Sequence, residues 1–278
     1  MKRNVLFLVC VLLLGTGVYS SVFAAKVKGN GTLVTKEVPV GDYASIKIGA
    51  GIECNNKLFS KSSYKNPAFY YEQGKGNASL SITIDENLFP LLDIKTSGKD
   101  LIVGVKRGTS INPSQMTVKG SSGELQEVSV SGCVDFFIED AFTARQMEIN
   151  ISGASDVKIK GRANIDQLKI SISGAGDFSA GNLTCKEIES RVSGAGDIDL
   201  AGKADVGKFS VTGAGDIKAF DFEVKHLECR VSGAGDIKVT ATETLNASVS
   251  GTGDIHYKGN AEANTKISGF GDIKRIKN

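Results

Sequence analysis

The 278-residue sequence has no tryptophan, two histidines, three methionines and four prolines. Its five cysteines include no CxxC pair, and with histidine so scarce neither a zinc site nor a redox motif is supported. No Gly-x-Ser-x-Gly segment and no phosphate-binding loop is present. A charge excess is missing as well. There are 33 basic and 31 acidic residues, and Lys2 and Arg3 fall in the amino-terminal leader, so the remainder is close to neutral. That balance argues against a nucleic-acid partner, which would require a basic excess.

The sequence also lacks the roughly 20 consecutive apolar residues that a membrane-spanning helix needs. Its longest apolar run, from Val5 to Leu14, is followed by Gly15, Thr16, Gly17 and Ser20. Lys2 and Arg3 stand before the run, and Val22, Phe23 and Ala24 close it with small residues where a signal peptidase reads. Residues 1–24 are therefore expected to be a cleaved export signal, with cleavage near Ala24 or Ala25. Cys10 leaves with it, and Val9 occupies the place where a lipid-attachment box wants a small residue. Cys54, Cys133, Cys185 and Cys229 remain, in a compartment that permits disulfides.

Glycine is what the chain has in plenty, 33 residues of it. Twelve stand in a repeated phrase: Ser173-Gly-Ala-Gly-Asp177, Ser193-Gly-Ala-Gly-Asp197, Thr212-Gly-Ala-Gly-Asp216, Ser232-Gly-Ala-Gly-Asp236, Ser250-Gly-Thr-Gly-Asp254 and Ser268-Gly-Phe-Gly-Asp272. Looser copies end at Asp135 and Asp156. The intervals between these aspartates are 21, 21, 20, 19, 20, 18 and 18 residues. Self-similarity at such a period marks a solenoid.

Aligned on the aspartate, the coils show apolar residues five positions before it (Ile151, Ile172, Val192, Val211, Val231, Val249, Ile267) and one after it (Val157, Phe178, Ile198, Ile217, Ile237, Ile255, Ile273). An even spacing in an extended chain places both sets on one side. Cys229, seven before Asp236, joins the inward set as a small hydrophobe. Glycine in the phrase permits a positive φ or a close approach of two backbones, and Gly161, Gly181, Gly202 and Gly259 mark a second corner.

The expected fold is all-β: a parallel β-helix over residues 128–278 with about 18–21 residues per coil, eight phrases making a rod of roughly 40 Å. Residues 25–127 form an irregular β-rich region that caps it, with strands expected at 33–38, 44–48, 79–84 and 101–105. A short helical turn within 85–92 is limited by Pro90. Inside this region Ile48-Gly-Ala-Gly-Ile52 reads as a worn copy of the phrase. At the far end Arg275 takes an apolar position, where charge blunts further stacking.

Chemistry concentrates in two places. The aspartates form a column, and neighbours at the coil spacing repel by about 1 kcal/mol in water. The expected compensation is hydrogen bonding from glycine N–H groups and Ser or Thr hydroxyls, with Lys158, Lys218, Lys238 and Lys274 neutralising the column. The alternative is a calcium ladder on Asp177, Asp197, Asp216, Asp236, Asp254 and Asp272. The second place is the aromatic cluster Tyr64, Phe69, Tyr70 and Tyr71, near Phe59, which is either packed beneath its loop, the commoner case, or, where exposed, a candidate platform for a glycan or a protein contact. No catalytic residue and no cofactor is expected. The aspartates are periodic, so no acid/base pair stands apart, and His226 and His256 lie in different phases without a nucleophile.

The phrase, the lead-in Gly29-Asn-Gly-Thr32, the segment Tyr43-Ala-Ser-Ile-Lys-Ile48 and Leu101-Ile-Val103 together resemble the bacterial family named for an auto-transporter adhesin head, the head GIN domain. The resemblance covers most of the chain beyond the leader and implies an exported β-helix with a role in surface adhesion. No strands with apolar alternation and aromatic girdles accompany it, so a membrane barrel of its own is not expected. The resulting expectation is a non-catalytic, adhesin-like binding or envelope-associated module, periplasmic, on the cell surface or secreted. Its ligand would be a glycan or a surface protein. The alternatives are a carbohydrate-active β-helix enzyme and a calcium-stabilised scaffold.

Overall fold

The repeat unit is a flat-sided coil, well shown by Phe178–Val192 and the turn that follows it. Along this stretch burial alternates, with Phe178, Ala180, Leu183, Cys185, Ile188, Ser190 and Val192 turned inward. Corners fall at residues 181–182, 186–187 and 193–197, so each coil has three short faces. The structure, a computed structural model, describes residues 25–54, 66–74 and 76–277. The expected export signal lies outside the described residues, as does Tyr64.

Every coil pairs in parallel with the one before and the one after. Phe178 stands opposite Val157 on one side and Ile198 on the other, and the column continues through Ile217, Ile237 and Ile255. All six side chains are fully buried. A second column, Ile151, Ile172, Val192, Val211, Val231 and Val249, is equally closed. Each such side chain contributes about 1.5–3 kcal/mol on leaving water, and β-branched residues suit a strand that is paired on both edges. The period drifts from 21 to 18 residues, and the drift is absorbed after the first face, where the register shifts between Ala180 and Leu183, Asp199 and Ala201, and Ala219 and Glu223. The phrase itself stays in register.

Close approach, rather than a positive φ, explains the glycines of the phrase. A Cβ built on Gly174 would fall on the carbonyl oxygen of Gly153, and one on Gly176 on that of Ser155. Such contact leaves no room for any side chain, because the turn is bonded to the turn beneath it: the Ala175 N–H donates to the Gly153 carbonyl at 3.0 Å and the Ala195 N–H to that of Gly174 at 2.9 Å. The second corner does use left-handed backbone, at Gly202 (φ +132°) and Gly259 (φ +95°), where glycine avoids the Cβ clash.

At the amino-terminal end the order in space departs from the order in the chain. Ser45–Ile48 lies between Asp100–Val105 and Glu127–Val130. Ala68–Gln73 likewise lies between Met116–Ser122 and Asp135–Ile138. The outermost coil is thus formed by residues 100–122, and the chain then passes back over Ser45–Ile48 and Ala68–Gln73 to start the regular stack. The Ile48–Ile52 phrase sits directly beneath the Ser131 phrase, and the Ser131 N–H donates to the Ile48 carbonyl at 3.0 Å. Antiparallel pairing closes this end: Leu33–Glu37 on Ser79–Asp85, Ser79–Asp85 on Met116–Ser122, and Leu92–Ser97 on Asp100–Val105. A 3-10 turn, Phe89–Leu91, contains Pro90.

The buried residues form one continuous cluster from Tyr43 to Ile255. In the last described coil Ile267 keeps its inward position but is exposed, as is Phe270. Arg275 there folds back to donate to the Gly259 carbonyl and to Asn260 Oδ1.

Candidate functional site

Seven hydrogen bonds of one kind run up the aspartate column. Each backbone N–H donates to Oδ1 of the aspartate one coil earlier: Asp156 to Asp135 at 3.1 Å, Asp177 to Asp156 at 3.4 Å, Asp197 to Asp177 at 2.8 Å and Asp216 to Asp197 at 2.8 Å. The series continues with Asp236 to Asp216 at 2.8 Å, Asp254 to Asp236 at 2.8 Å and Asp272 to Asp254 at 2.7 Å. This corrects the expected donors. In-register stacking sets each aspartate amide over the carboxylate below it, while the alanine amides of the phrase are spent on glycine carbonyls. The serine hydroxyls turn elsewhere too, Ser193 Oγ donating to the Ile172 carbonyl at 3.3 Å.

Lysines take the outer oxygens of part of the column. Lys218 Nζ lies 2.6 Å from Asp197 Oδ2, and Lys274 Nζ 2.7 Å from Asp272 Oδ2. Lys158 stands farther off, at 3.9 Å from Asp156. Partial burial opposes the charged form of Asp197, but the Lys218 ammonium and the Asp216 amide outweigh it and hold its carboxyl below the usual range. Asp135 goes the other way, raised first by burial and further by the Asp156 charge against the Asp156 N–H and the Asn66 amide. Among the described residues no three His, Cys, Asp or Glu side chains converge in a way that could hold a metal ion.

The aromatic candidates separate. Phe69 and Tyr71 are fully buried, Phe69 stacked on Phe136 at 5.2 Å and Tyr71 bonded through its hydroxyl to Ser122. Phe69 and Tyr71 are thus the packed case and drop out as candidate ligand residues, because in an extended strand residues 69 and 71 share the inward face and only Tyr70 points out. Tyr70 is half-buried and stacks on Phe137 of the next coil, centroids 5.2 Å apart. Lys160 Nζ stands over the Phe137 ring at 4.4 Å and is paired with Glu139 at 2.6 Å. Phe137, Glu72 and Glu139 were not singled out by sequence reasoning; the doubled Phe136-Phe137, where later coils carry one apolar residue followed by a polar one, was the available signal.

Around Tyr70 the cap and the first regular coils enclose a groove of about 500 Å³, with Glu37, Glu72, Lys119 and Glu139 on its walls. A longer depression of about 630 Å³ follows the corner that carries Gln146, Gln167 and Glu187. Its polar groups bond to one another, Gln146 Nε2 to Gln167 Oε1 at 3.0 Å and Gln167 Nε2 to Glu187 Oε2 at 3.3 Å. Of the histidines, His226 contacts Thr244 Oγ1 at 3.1 Å and Glu243 at 3.3 Å. His256 is half-buried in the outer column between Lys238 and Lys274.

Cys54 and Cys133 form a disulfide, with Cα atoms 5.6 Å apart, joining two stacked phrases across 79 residues of sequence. Closing a loop of that length is worth about 4 kcal/mol by the chain-entropy argument, and such a bond belongs to an oxidising compartment. Cys185 and Cys229 are buried and free. Burial pushes the Cys185 thiol up to about 12, which makes it an inert core residue.

The fold is a capped parallel β-solenoid, and among the described residues no helix is long and apolar enough to cross a membrane. The chain belongs to the family described as "Putative auto-transporter adhesin, head GIN domain", whose model matches residues 63–164 and again residues 147–261. Two matches in tandem are what a stack of similar coils produces. Among solved structures, a putative lipid binding protein from Parabacteroides distasonis is 31% identical, with TM-score 0.82 over 91% of this chain and 100% of that one. A putative adhesin from Parabacteroides merdae is 30% identical, with TM-score 0.80 over 91% and 100%. A putative adhesin from Parabacteroides distasonis is 29% identical, with TM-score 0.76 over 90% and 100%. None of the curated proteins matches.

Proposed function

We propose that this protein is an exported, non-catalytic, adhesin-like module that presents a rigid rod to a surface ligand. The observation that carries the reading is the self-pairing of the outer columns. Lys169 pairs with Glu148 at 3.3 Å, Lys186 with Asp166 at 3.1 Å and Lys225 with Asp205 at 2.7 Å. Each pair joins neighbouring coils, so these charges are answered within the rod itself. Family membership supports the same role, and the Cys54–Cys133 bond supports export.

The test is solid-phase binding of the disulfide-intact protein to immobilised mucin and to matrix proteins. Saturable binding that heat-unfolded protein lacks is expected. Absence of saturable binding to any of these surfaces would overturn the reading. So would release of reducing or unsaturated sugar ends from polysaccharide, which would favour the enzyme instead. One solved neighbour is named for lipid, and the filled interior of this chain, packed with Phe178, Phe209 and Phe222, confines any lipid to an outer face.

A further inference from the structure

We propose that the groove between the cap and the first regular coils is the ligand site of this module and that its ligand is a neutral saccharide, an inference that rests on the adhesin-like reading above. The groove stands where the repeat breaks. Some outer charges answer one another from coil to coil, whereas among the described residues Glu37, Glu72 and Lys119, which meet in this one concavity, have no side-chain hydrogen bond or ion pair. Charged groups left without partners at the rim of a concavity are free to bond a ligand. Its volume of about 500 Å³ is in the range of small-ligand sites.

The lining has the chemistry of a polyol site. Carboxylates accept hydroxyl hydrogens two at a time, the Lys119 ammonium donates, and Ser121, bonded to Ser79 at 2.8 Å, can do either. The half-buried Tyr70 ring supplies an apolar wall for the C–H face of a sugar. Its stacking on Phe137, with Lys160 Nζ 4.4 Å from the Phe137 centroid and 5.8 Å from that of Tyr70, holds that wall in place before binding and so lowers the ordering cost. Charge selects within the class. Glu37, Glu72 and Glu139 outnumber Lys119 on the walls, and Lys160 is committed to Glu139, so sulfated, phosphorylated or uronate sugars are repelled. The larger corner depression is the weaker candidate because Gln146, Gln167 and Glu187 already bond one another.

The experiment is affinity electrophoresis of the intact protein through gels carrying galactomannan, a neutral β-glucan, desialylated mucin or polygalacturonate. The variants are Tyr70→Ala, Glu72→Gln and, as a distant control, Glu228→Ala, each checked for unchanged thermal unfolding. Retardation by at least one neutral polymer is expected, weakened about tenfold or more by Glu72→Gln and by Tyr70→Ala and unaffected by Glu228→Ala. Glu72→Gln keeps the shape of the side chain, so the test survives a Tyr70 variant that folds poorly. Retardation of the variants equal to that of the parent would overturn the site and leave the adhesin-like reading standing. Retardation by polygalacturonate alone would overturn the ligand class. No retardation by any polymer would overturn the inference, and the reading itself would fall only if the solid-phase assay were negative too.

Discussion

Each aspartate between Asp135 and Asp272 does two jobs with one residue: its side chain accepts an amide from the coil above, and its own amide donates to the carboxylate below. The acceptor, rather than the charge, is what the turn needs. Asp216→Asn keeps Oδ1 for the Asp236 N–H, and a loss under about 1 kcal/mol is expected in chemical denaturation. Asp216→Ala leaves that N–H without its acceptor and should cost about 1–3 kcal/mol. A loss above about 3 kcal/mol for the asparagine variant would show that the charge itself is required. Ser190 poses the opposite case. It stands fully buried between Ile170 and Phe209, and its hydroxyl has no hydrogen-bond partner. Removing an unpaired buried hydroxyl relieves a desolvation cost, so Ser190→Ala should raise stability by about 1 kcal/mol at unchanged m-value. A destabilised variant would mean that the hydroxyl has a partner, such as a buried water.

At the scale of elements, the cap depends on one buried carboxylate. Asp85, fully buried, accepts from the Gly31 N–H at 2.7 Å, the Ser114 N–H at 2.8 Å and the Ser114 hydroxyl at 2.7 Å. Gly29 packs so closely against the carboxylate that a Cβ there would overlap it. Three distant segments thus meet at one side chain. Burial pushes the Asp85 carboxyl up, but these hydrogen bonds outweigh it and leave the net shift downward. A folded value below the unfolded one means that the stabilisation is fully present above the ordinary carboxylate range and is lost as pH falls through the folded value. Acid titration monitored by near-ultraviolet dichroism should therefore show the parent losing stability below about pH 4 more steeply than Asp85→Asn. Parallel curves would remove Asp85 from the acid transition.

The same elements show what could be read in advance. The coils were legible because parity and the aspartate phase are local: Ile172 and Phe178 point inward from spacing alone, and the solenoid follows. The cap was not, because residues 45–48 and 68–73 lie between coils formed by residues 100–122 and 127–138, an order that no local period encodes. Asp85 read as the start of a short helical turn, and the lead-in Gly29-Asn-Gly-Thr32 gains its meaning only from the carboxylate it surrounds. In the candidate site, parity applied to residues 68–73 separates Tyr70 from Phe69 and Tyr71. The partnership of Tyr70 with Phe137 depends on pairing across 67 residues of chain, which only the folded structure supplies.

For the whole molecule, stability is nearly one-dimensional: every coil rests on its neighbours, and a term repeated in each coil is multiplied along the rod. Calcium would be such a term if it bound the column. Ions bridging successive aspartates would add at every step, and the midpoint of unfolding would rise with free calcium. The geometry favours the opposite result, since seven Oδ1 atoms already accept amide protons and Lys218 and Lys274 occupy Oδ2 of Asp197 and Asp272. Thermal unfolding of the oxidised protein in excess calcium and in chelator should therefore give the same midpoint. A rise of several degrees with calcium would place ions on the remaining Oδ2 atoms of Asp177, Asp216, Asp236 and Asp254, and would make folding depend on a calcium-rich exterior. Equal midpoints would leave the column as the hydrogen-bonded spine of the rod, with ligand binding assigned to the groove where the repeat ends.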